Sequence, residues 1–478
     1  MRVLIVEDDQ TLAQELAEHI RRIDQSIQCD VTYDATQARE VLEKQHIDVA
    51  LVDLKIPTNT LKADAHADHG RRLMLDIGTN SPGTFVIMYS EFSNETLAVQ
   101  LYEQLNIRRP NILGVPENSV FTSRPKADPK KALDDIAAIL DRRKQLARSV
   151  EFDRFEHEID ISICNAQLLR SFGSSRGART MRVHEITSGK SGAKVYSVTY
   201  FDENGLQTLA VIAKCDYWQR VETEESNFAQ HVNGRLEPGT YAPLLNREPY
   251  MCGKSAAMYY QRIDDSEGGL AQFWGADRDR GRPLIERLKA IEAPWISTAR
   301  TVEIPLRDLR RLLISDQALE AHSSEIDISY IELETTPIRA RMCLQHGDFH
   351  AGNILVSIQD QPYIIDFANI AELPAGFDAV TLELAYIFNN PERSPSAWPT
   401  AKDLSDWRSS QAYFEKSPAS EFLKLTREWA DECMLGLGQT SLYGCAYAYC
   451  MRQFQYPETD KKLLNALIKT LADGLARD

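Results

Sequence analysis

Asp348, Asn353 and Asp366 carry the most chemistry in this sequence. Asp348 and Asn353 stand five apart in HGDFHAGNIL (346–355), where Gly347 and Gly352 permit a tight loop. The apolar run Pro362-Tyr363-Ile364-Ile365 then delivers Asp366 thirteen residues after Asn353. A loop that sets an Asp and an Asn beside an Asp at a strand end can build a phosphoryl-transfer site. One Asp orients a hydroxyl and takes its proton, while the Asn and the second Asp hold Mg2+ on nucleotide phosphates. Oxygen donors suit magnesium and argue against zinc, despite His346 and His350 nearby. A second acidic group opens the chain, where Glu7, Asp8 and Asp9 directly follow the run VLIV (3–6), and Asp53 follows another apolar run.

The elements that must position the first acids alternate regularly over the first 145 residues. Strands are expected at Val3–Val6, Cys29–Tyr33, Val49–Leu54 and Phe85–Tyr89. Helices are expected at Thr11–Ile23, Ala35–Glu43, Gly70–Ile77, Glu95–Leu105 and Pro129–Arg142. Buried strands alternating with helices imply a parallel sheet wound on both faces, with ligands at the carboxyl ends of its strands. Glu7, Asp8, Asp53 and Ser90 all fall at that edge.

On the segments VLIVEDD (3–9), VALVDLKIP (49–57) and FVIMYS (85–90), the first domain resembles the response-regulator receiver family. The resemblance implies Glu7 and Asp8 as Mg2+ ligands and Asp53 as both ligand and phosphoacceptor. Ser90 would bond the incoming phosphoryl oxygens. It also implies a sensor histidine kinase or other phosphodonor as partner. Three hard oxygens suit the ion, which would draw charge off the attacked phosphorus. A basic residue should stand near the phosphoryl group, and FTSRPKADP (121–129) leaves two choices. Spacing from the preceding aromatic favours Arg124; spacing to Leu133 favours Lys126. Thr58–His69 and Ile107–Ser119 read as longer loops than the family carries. The rival reading is a receiver fold kept only for docking.

Leu133, Ile136, Leu140, Ala147 and Val150 continue at three-and-four spacing, interrupted by Arg143, so the last helix is expected to run on. That stripe suits either a homodimer seam or packing on the next domain. SFGSSRGAR (171–179) reads as a loop into the second domain.

HGDFHAGNIL followed by IIDF is similar to the catalytic loop of the aminoglycoside-phosphotransferase and choline-kinase branch of the protein-kinase-like fold. The resemblance implies Asp348 as catalytic base, with Asn353 and Asp366 as metal ligands for ATP-bound Mg2+. It implies a glycine-containing hairpin over the phosphates, which ITSGKSGAKVYSV (186–198) supplies through Gly189, Ser191 and Gly192, with Val195 covering the adenine. Lys214, on the alternating strand LAVIAKCD (209–216), would bind the phosphates. Lysine at such a position is costly unless it has a role. Glu225, with Glu222 in reserve, would pair with it. The strand AAMYYQRID (256–264) would enter a hinge near Gln261–Ile263. Asp378 would brace the catalytic loop. SGA in the hairpin, HGDFHAGNIL and IDFA are also similar to the ternary complex associated kinase-like domains of bacterial signalling and conflict proteins.

A net charge of −16 argues against a broad nucleic-acid face, and no basic recognition helix follows the receiver. No apolar run approaches a membrane span, and the apolar start is too short for a signal peptide. Eight scattered cysteines without a CxxC pair read as buried reduced thiols in a cytoplasmic protein. The Tyr and Cys cluster at 441–450 reads as core. The expected architecture is a doubly wound (βα)5 receiver at 1–128 and a helical connector at 129–178. An α+β two-lobed kinase-like domain follows, with its smaller lobe at 179–265 and its helical lobe at 266–478. The expected function is a response regulator controlling an ATP- and Mg2+-dependent phosphotransferase that acts on a small-molecule or protein hydroxyl. The alternative is a nucleotide-binding pseudokinase adaptor gated by the receiver.

Overall fold

The computed structural model describes the chain except for residues 60–63, 92–94, 106–119, 154–160, 187–191, 248, 264–265, 274–277, 328, 390–397, 435 and 477–478. The expected Gly189 and Ser191, and the whole of the 107–119 loop, lie outside the described residues. The chain divides into two compact units. One is Met1–Glu225 with Leu244–Arg262; the other is Ser226–Pro243 with Ile263–Asp478.

The first unit begins with five strands, β1 (Arg2–Val6), β2 (Gln28–Thr32), β3 (Val49–Val52), β4 (Phe85–Ser90) and β5 (Phe121–Pro125). They form a parallel sheet of order β2-β1-β3-β4-β5. Helices α1 (Gln10–Ile23), α2 (Ala35–Lys44), α3 (Ala67–Asn80), α4 (Glu95–Leu105) and α5 (Pro129–Ser149) connect and follow them. Two apolar cores line the two faces of the sheet. Leu4, Val6, Ala50 and Val52 point into one, and Val3, Ile5, Val49 and Leu51 into the other. That is why these strands read as unbroken apolar runs. Local chemistry starts the helices. The Asp9 side chain accepts from the Thr11 and Leu12 amides, Asp34 accepts from Gln37, and Pro129 occupies the first turn of α5. The expected doubly wound receiver is what the chain forms.

Helix α5 outruns the expected Arg142. Its Ala132, Ile136, Ile139 and Leu140 pack on the receiver core, while Arg143 is buried against Asp48 at 2.5 Å. Val150, just past its end, belongs to the next core with Leu168, Leu169 and Phe172. The stripe therefore packs inside its own unit. The stretch 171–179, expected as a loop, is helical as far as Ser175 in α6 (Ile163–Ser175). Burial of Leu168, Leu169 and Phe172 against the adjoining sheet outweighs its small, polar composition.

That sheet contains β6 (Glu151–Phe152), β7 (Thr180–Ile186), β8 (Lys194–Phe201), β9 (Gln207–Tyr217), β10 (Tyr250–Cys252) and β11 (Ser255–Gln261), in the order β10-β11-β9-β8-β7-β6. Helix α7 (Trp218–Asn227) follows β9. The receiver meets this sheet at the ends of its strands remote from the acids. Gly83 N donates to Gly253 O at 2.9 Å, and Lys254 Nζ donates to Glu43 O at 2.7 Å. A Cβ on Gly83 would stand 2.5 Å from Gly253 N, so only glycine permits this approach.

The second unit holds two three-stranded sheets. One has the order β12 (Ser266–Gly269), β15 (Ile354–Ser357), β16 (Pro362–Ile364); the other β13 (Arg300–Pro305), β14 (Pro337–Gln345), β17 (Ala371–Pro374). Around them lie α8 (Arg278–Ile296), the short α9 (Leu306–Arg311), α10 (Asp316–Glu320) and α11 (Tyr330–Leu333), then α12 (Phe377–Phe388), α13 (Ser410–Phe414), α14 (Ser420–Met434), α15 (Gln439–Gln453) and α16 (Lys461–Leu475). Residues 441–453 of α15 are all buried, so the Tyr and Cys cluster there is core. No helix among the described residues is long and apolar enough to cross a membrane.

Candidate functional sites

At the carboxyl edge of the receiver sheet, Glu7, Asp8 and Asp53 bring carboxylate oxygens within 4.8 Å of one another. Glu7 and Asp53 are almost fully buried and Asp8 is exposed. Lys126 Nζ donates to Glu7 Oε1 at 2.8 Å and to Asp53 Oδ2 at 2.9 Å. The Lys126 amide donates to Ser90 O at 3.1 Å, tying the basic residue to the end of β4. Arg124, the other sequence candidate, turns away and forms a two-pronged pair with Asp135 of α5 at 2.7 and 3.0 Å. The reason lies in the pleat: successive side chains of a strand point to opposite faces, and Arg124 still belongs to β5. Lys126, past the strand end, is free of that constraint.

Burial pushes the Glu7 carboxyl up to about 7 and raises Asp53 as well, against the opposing pull of Lys126. Burial works against the Lys126 charge, but Glu7 and Asp53 hold its pKa above the ordinary value. Two buried acids and the exposed Asp8 face a single ammonium, an acid-rich cluster. The donor set is all oxygen, so the residues present fit Mg2+.

On the sheet that follows, Lys214 sits opposite Val195 on β8 and Met258 on β11. Its Nζ lies 2.7 Å from Glu224 Oε2, and Tyr260 Oη donates to Glu224 Oε1 at 2.6 Å. The expected partner, Glu225 with Glu222 in reserve, is corrected to Glu224. Trp218, Val221 and Glu224 share the buried face of α7 at spacing of three, whereas Glu222 and Glu225 are half-buried. The expectation was counted back from Phe228–Val232, and that stretch is a π-helical turn with a different period. The spacing from Trp218 was the signal that identifies Glu224. Gly192 is described and exposed, with φ +76°.

The residues of the HGDFHAGNIL loop converge in the second unit. β14 ends at Gln345, and the chain turns at Gly347 with φ +78°, where a Cβ would stand 2.3 Å from Asn369 O. The His346 and Gly347 amides donate to the two carboxylate oxygens of Asp378, at 2.5 and 2.9 Å. The Asp378 amide donates to Gln345 Oε1 at 3.1 Å. Asp378 thus holds the loop from below. His346 is buried, which lowers its pKa, and its Nε2 donates to Ile365 O at 3.0 Å. The neutral ring then offers Nδ1 to the Asp348 amide at 3.4 Å. Asn353 Nδ2 donates to Asp348 O at 2.9 Å, which leaves its Oδ1 as the atom for a cation. The Ile365 amide donates to Asn353 O at 3.0 Å, linking the loop to the segment that carries Asp366. Asp366 itself has φ +65°, a left-handed backbone uncommon for a residue with a side chain.

Arg452 and Glu292 were not foreseen. Arg452 of α15 donates through Nη2 to Asp348 Oδ1 at 2.8 Å and through Nη1 to Gly347 O at 2.7 Å. It stands more than a hundred residues from the loop, and no local pattern marks it. Glu292 of α8 is fully buried, and burial drives its pKa far up. Beside it, burial raises Asp378 to about 7 even though two loop amides oppose the shift. A protonated Glu292 can donate to Asp378, which holds the Glu292 proton in place and, with the two amides, works against the effect of burial on Asp378.

Residues 3–107 match the model of the response regulator receiver domain, and residues 270–413 match that of the phosphotransferase enzyme family. The chain joins a receiver domain to a phosphotransferase-family, kinase-like domain. No curated protein matches it. Among solved structures, the CheY-like receiver domain protein of Methanospirillum hungatei JF-1 is 17% identical, over 30% of this chain and 97% of that one, with a TM-score of 0.22. The signal receiver domain of a putative Luxo repressor protein from Vibrio parahaemolyticus is 23% identical, over 30% of this chain and 92% of that one, with a TM-score of 0.23. A receiver domain protein of Clostridium thermocellum is 17% identical, over 30% and 98%, with a TM-score of 0.23.

Proposed function

We propose that this protein is a response regulator whose receiver, phosphorylated on Asp53 by a histidine kinase or another phosphodonor, controls an ATP- and Mg2+-dependent phosphotransferase. The observation that carries the reading is the loop around Asp348, braced by Asp378, His346 and Asn353. Each bond fixes backbone or ring geometry and leaves the Asp348 carboxylate partly exposed. Asp348 orients an acceptor hydroxyl and takes its proton; Asn353 and Asp366 supply oxygens for the metal. Lys214, held by Glu224, is the cation for the nucleotide phosphates. The Mg2+ ions would neutralise phosphate charge in both domains. Catalysis of this kind is positioning plus electrostatics. The acceptor is a hydroxyl of a small molecule or protein in a cytoplasmic setting.

One observation favours the second reading, a nucleotide-binding adaptor. The Arg452 guanidinium already occupies one oxygen of Asp348, which takes that oxygen away from an acceptor hydroxyl. The two separate by experiment. Full-length protein with Mg2+ and γ-labelled ATP should transfer label to water, to itself or to an added cell extract, and Asp348→Ala should lose at least about a hundredfold of that turnover. Nucleotide binding without transfer by the wild type, even with extract and a phosphodonor for Asp53, would favour the adaptor.

A further inference from the structure

Away from both sites, three distant segments bring together a set of reactive side chains that neither domain's chemistry uses. His46 lies between α2 and β3, Cys164 is the second residue of α6, and Cys252 ends β10. A ring nitrogen and the two sulfurs all lie within 4.8 Å of one another. Cys252 Sγ is 3.8 Å from His46 Nε2 and 3.3 Å from Gln167 Oε1. His46 Nε2 is 2.6 Å from Asp48 Oδ1. Asp48 in turn faces Arg143 at 2.5 Å and accepts from the Arg2 amide at 2.6 Å. A Cβ on Gly253 would stand 2.4 Å from His46 Nδ1, so the ring packs against bare backbone.

The two thiols differ in kind. Cys252 is buried, whereas Cys164 is half-buried in the first turn of α6, where the helix dipole favours a thiolate. A hydrogen bond from Cys252 lowers Cys164 to about 5, against its burial and with help from His46. The same contact and burial push Cys252 far up. Burial opposes a charge on His46, but Asp48 and Cys164 raise it to about 9. At neutral pH a thiolate, an imidazolium and a thiol therefore stand side by side.

We propose that Cys164 and Cys252 form a peroxide-reactive dithiol site, in which Cys164 attacks and Cys252 resolves. The Cys164 thiolate attacks one oxygen of hydrogen peroxide and the O–O bond breaks. The departing hydroxide takes the His46 proton and leaves as water. Cys252 sulfur then attacks the Cys164 sulfenic acid, the S–O bond breaks, and the Cys252 proton leaves with the hydroxyl as a second water. Two thiols are oxidised by two electrons, and the peroxide is reduced to two waters. The sulfurs close to about 2 Å. The disulfide ties the start of α6 to the end of β10 and removes the thiolate charge beside His46, leaving Asp48 as its partner. Because His46 comes from the receiver and both cysteines from beyond it, oxidation is felt at the seam between them.

The test uses the full-length reduced protein. After limited peroxide, alkylation and digestion, the expected result is a loss of two hydrogens and a joined peptide pair, Cys164 with Cys252. In Cys252→Ser, Cys164 should instead accumulate as a sulfenic acid captured by a cyclic 1,3-diketone. His46→Asn should slow disulfide formation roughly tenfold or more, as the thiolate fraction falls. The wild-type result stands even if a variant fails to fold. The proposal is overturned if both thiols survive peroxide that oxidises glutathione, or if a different pair is joined. It is equally overturned if the purified chain carries one equivalent of a thiophilic metal ion on these three side chains.

Discussion

Asp378 is the residue on which the HGDFHAGNIL loop hangs, and its chemistry makes it pH-sensitive. An acid whose folded pKa is about 7, against an ordinary 3.8, keeps a proton in the fold that the unfolded chain releases. Stability from this group is therefore complete below about pH 4 and is lost as pH rises towards about 7. Thermal melts between pH 5 and pH 8 should show this loss. Glu292→Gln should flatten it, because an amide can donate to Asp378 at any pH. An unchanged slope in the variant would mean that the two carboxyls do not share a proton. At this scale the sequence marks loop residues by spacing, so Asp348, Asn353 and Asp366 were legible from HGDFHAGNIL and IIDF. It does not mark what meets them from elsewhere. Arg452, Glu292 and the choice of Lys126 over Arg124 depend on which way a side chain faces once the elements pack.

Helix α5 and the glycine seam are the elements that join receiver to kinase-like sheet. α5 begins just after Lys126, ends beside Val150, and at about 1.5 Å per residue spans roughly 30 Å. It buries Arg143 against Asp48, which also contacts His46. The strand β3 makes the same connection from within, with Asp48 before its first residue and Asp53 after its last. Gly83→Ala should break the apposition to Gly253 and cost about 1–3 kcal/mol. The readouts are a lower melting temperature and faster amide exchange in residues 43–48 and 250–254. Normal melting and exchange would show that the seam accommodates a methyl group. The extent of α5 was readable as an apolar stripe, but its destination was not. A stripe says that a face is buried without saying against what.

In the first unit the edge that carries Glu7, Asp8 and Asp53 and the seam at Gly83 and Gly253 lie at opposite ends of the receiver strands. If Asp53 is the phosphoacceptor proposed above, a small-molecule donor with Mg2+ should replace the Lys126 contacts at Glu7 and Asp53. We expect altered exchange along α5 and at 43–48, absent in Asp53→Asn. A change confined to the loops around Asp53 would leave the two domains uncoupled. The sequence by itself determined the receiver sheet, the kinase-like loop and the order in which they occur. Unbroken apolar runs and short motifs are local, and their periods survive without any partner. The structure alone decided that α6 belongs to the second core, that Glu224 holds Lys214, and that His46, Cys164 and Cys252 meet. Those outcomes depend on contacts between residues far apart in the chain, where packing and charge choose among side chains that the sequence presents as equivalent.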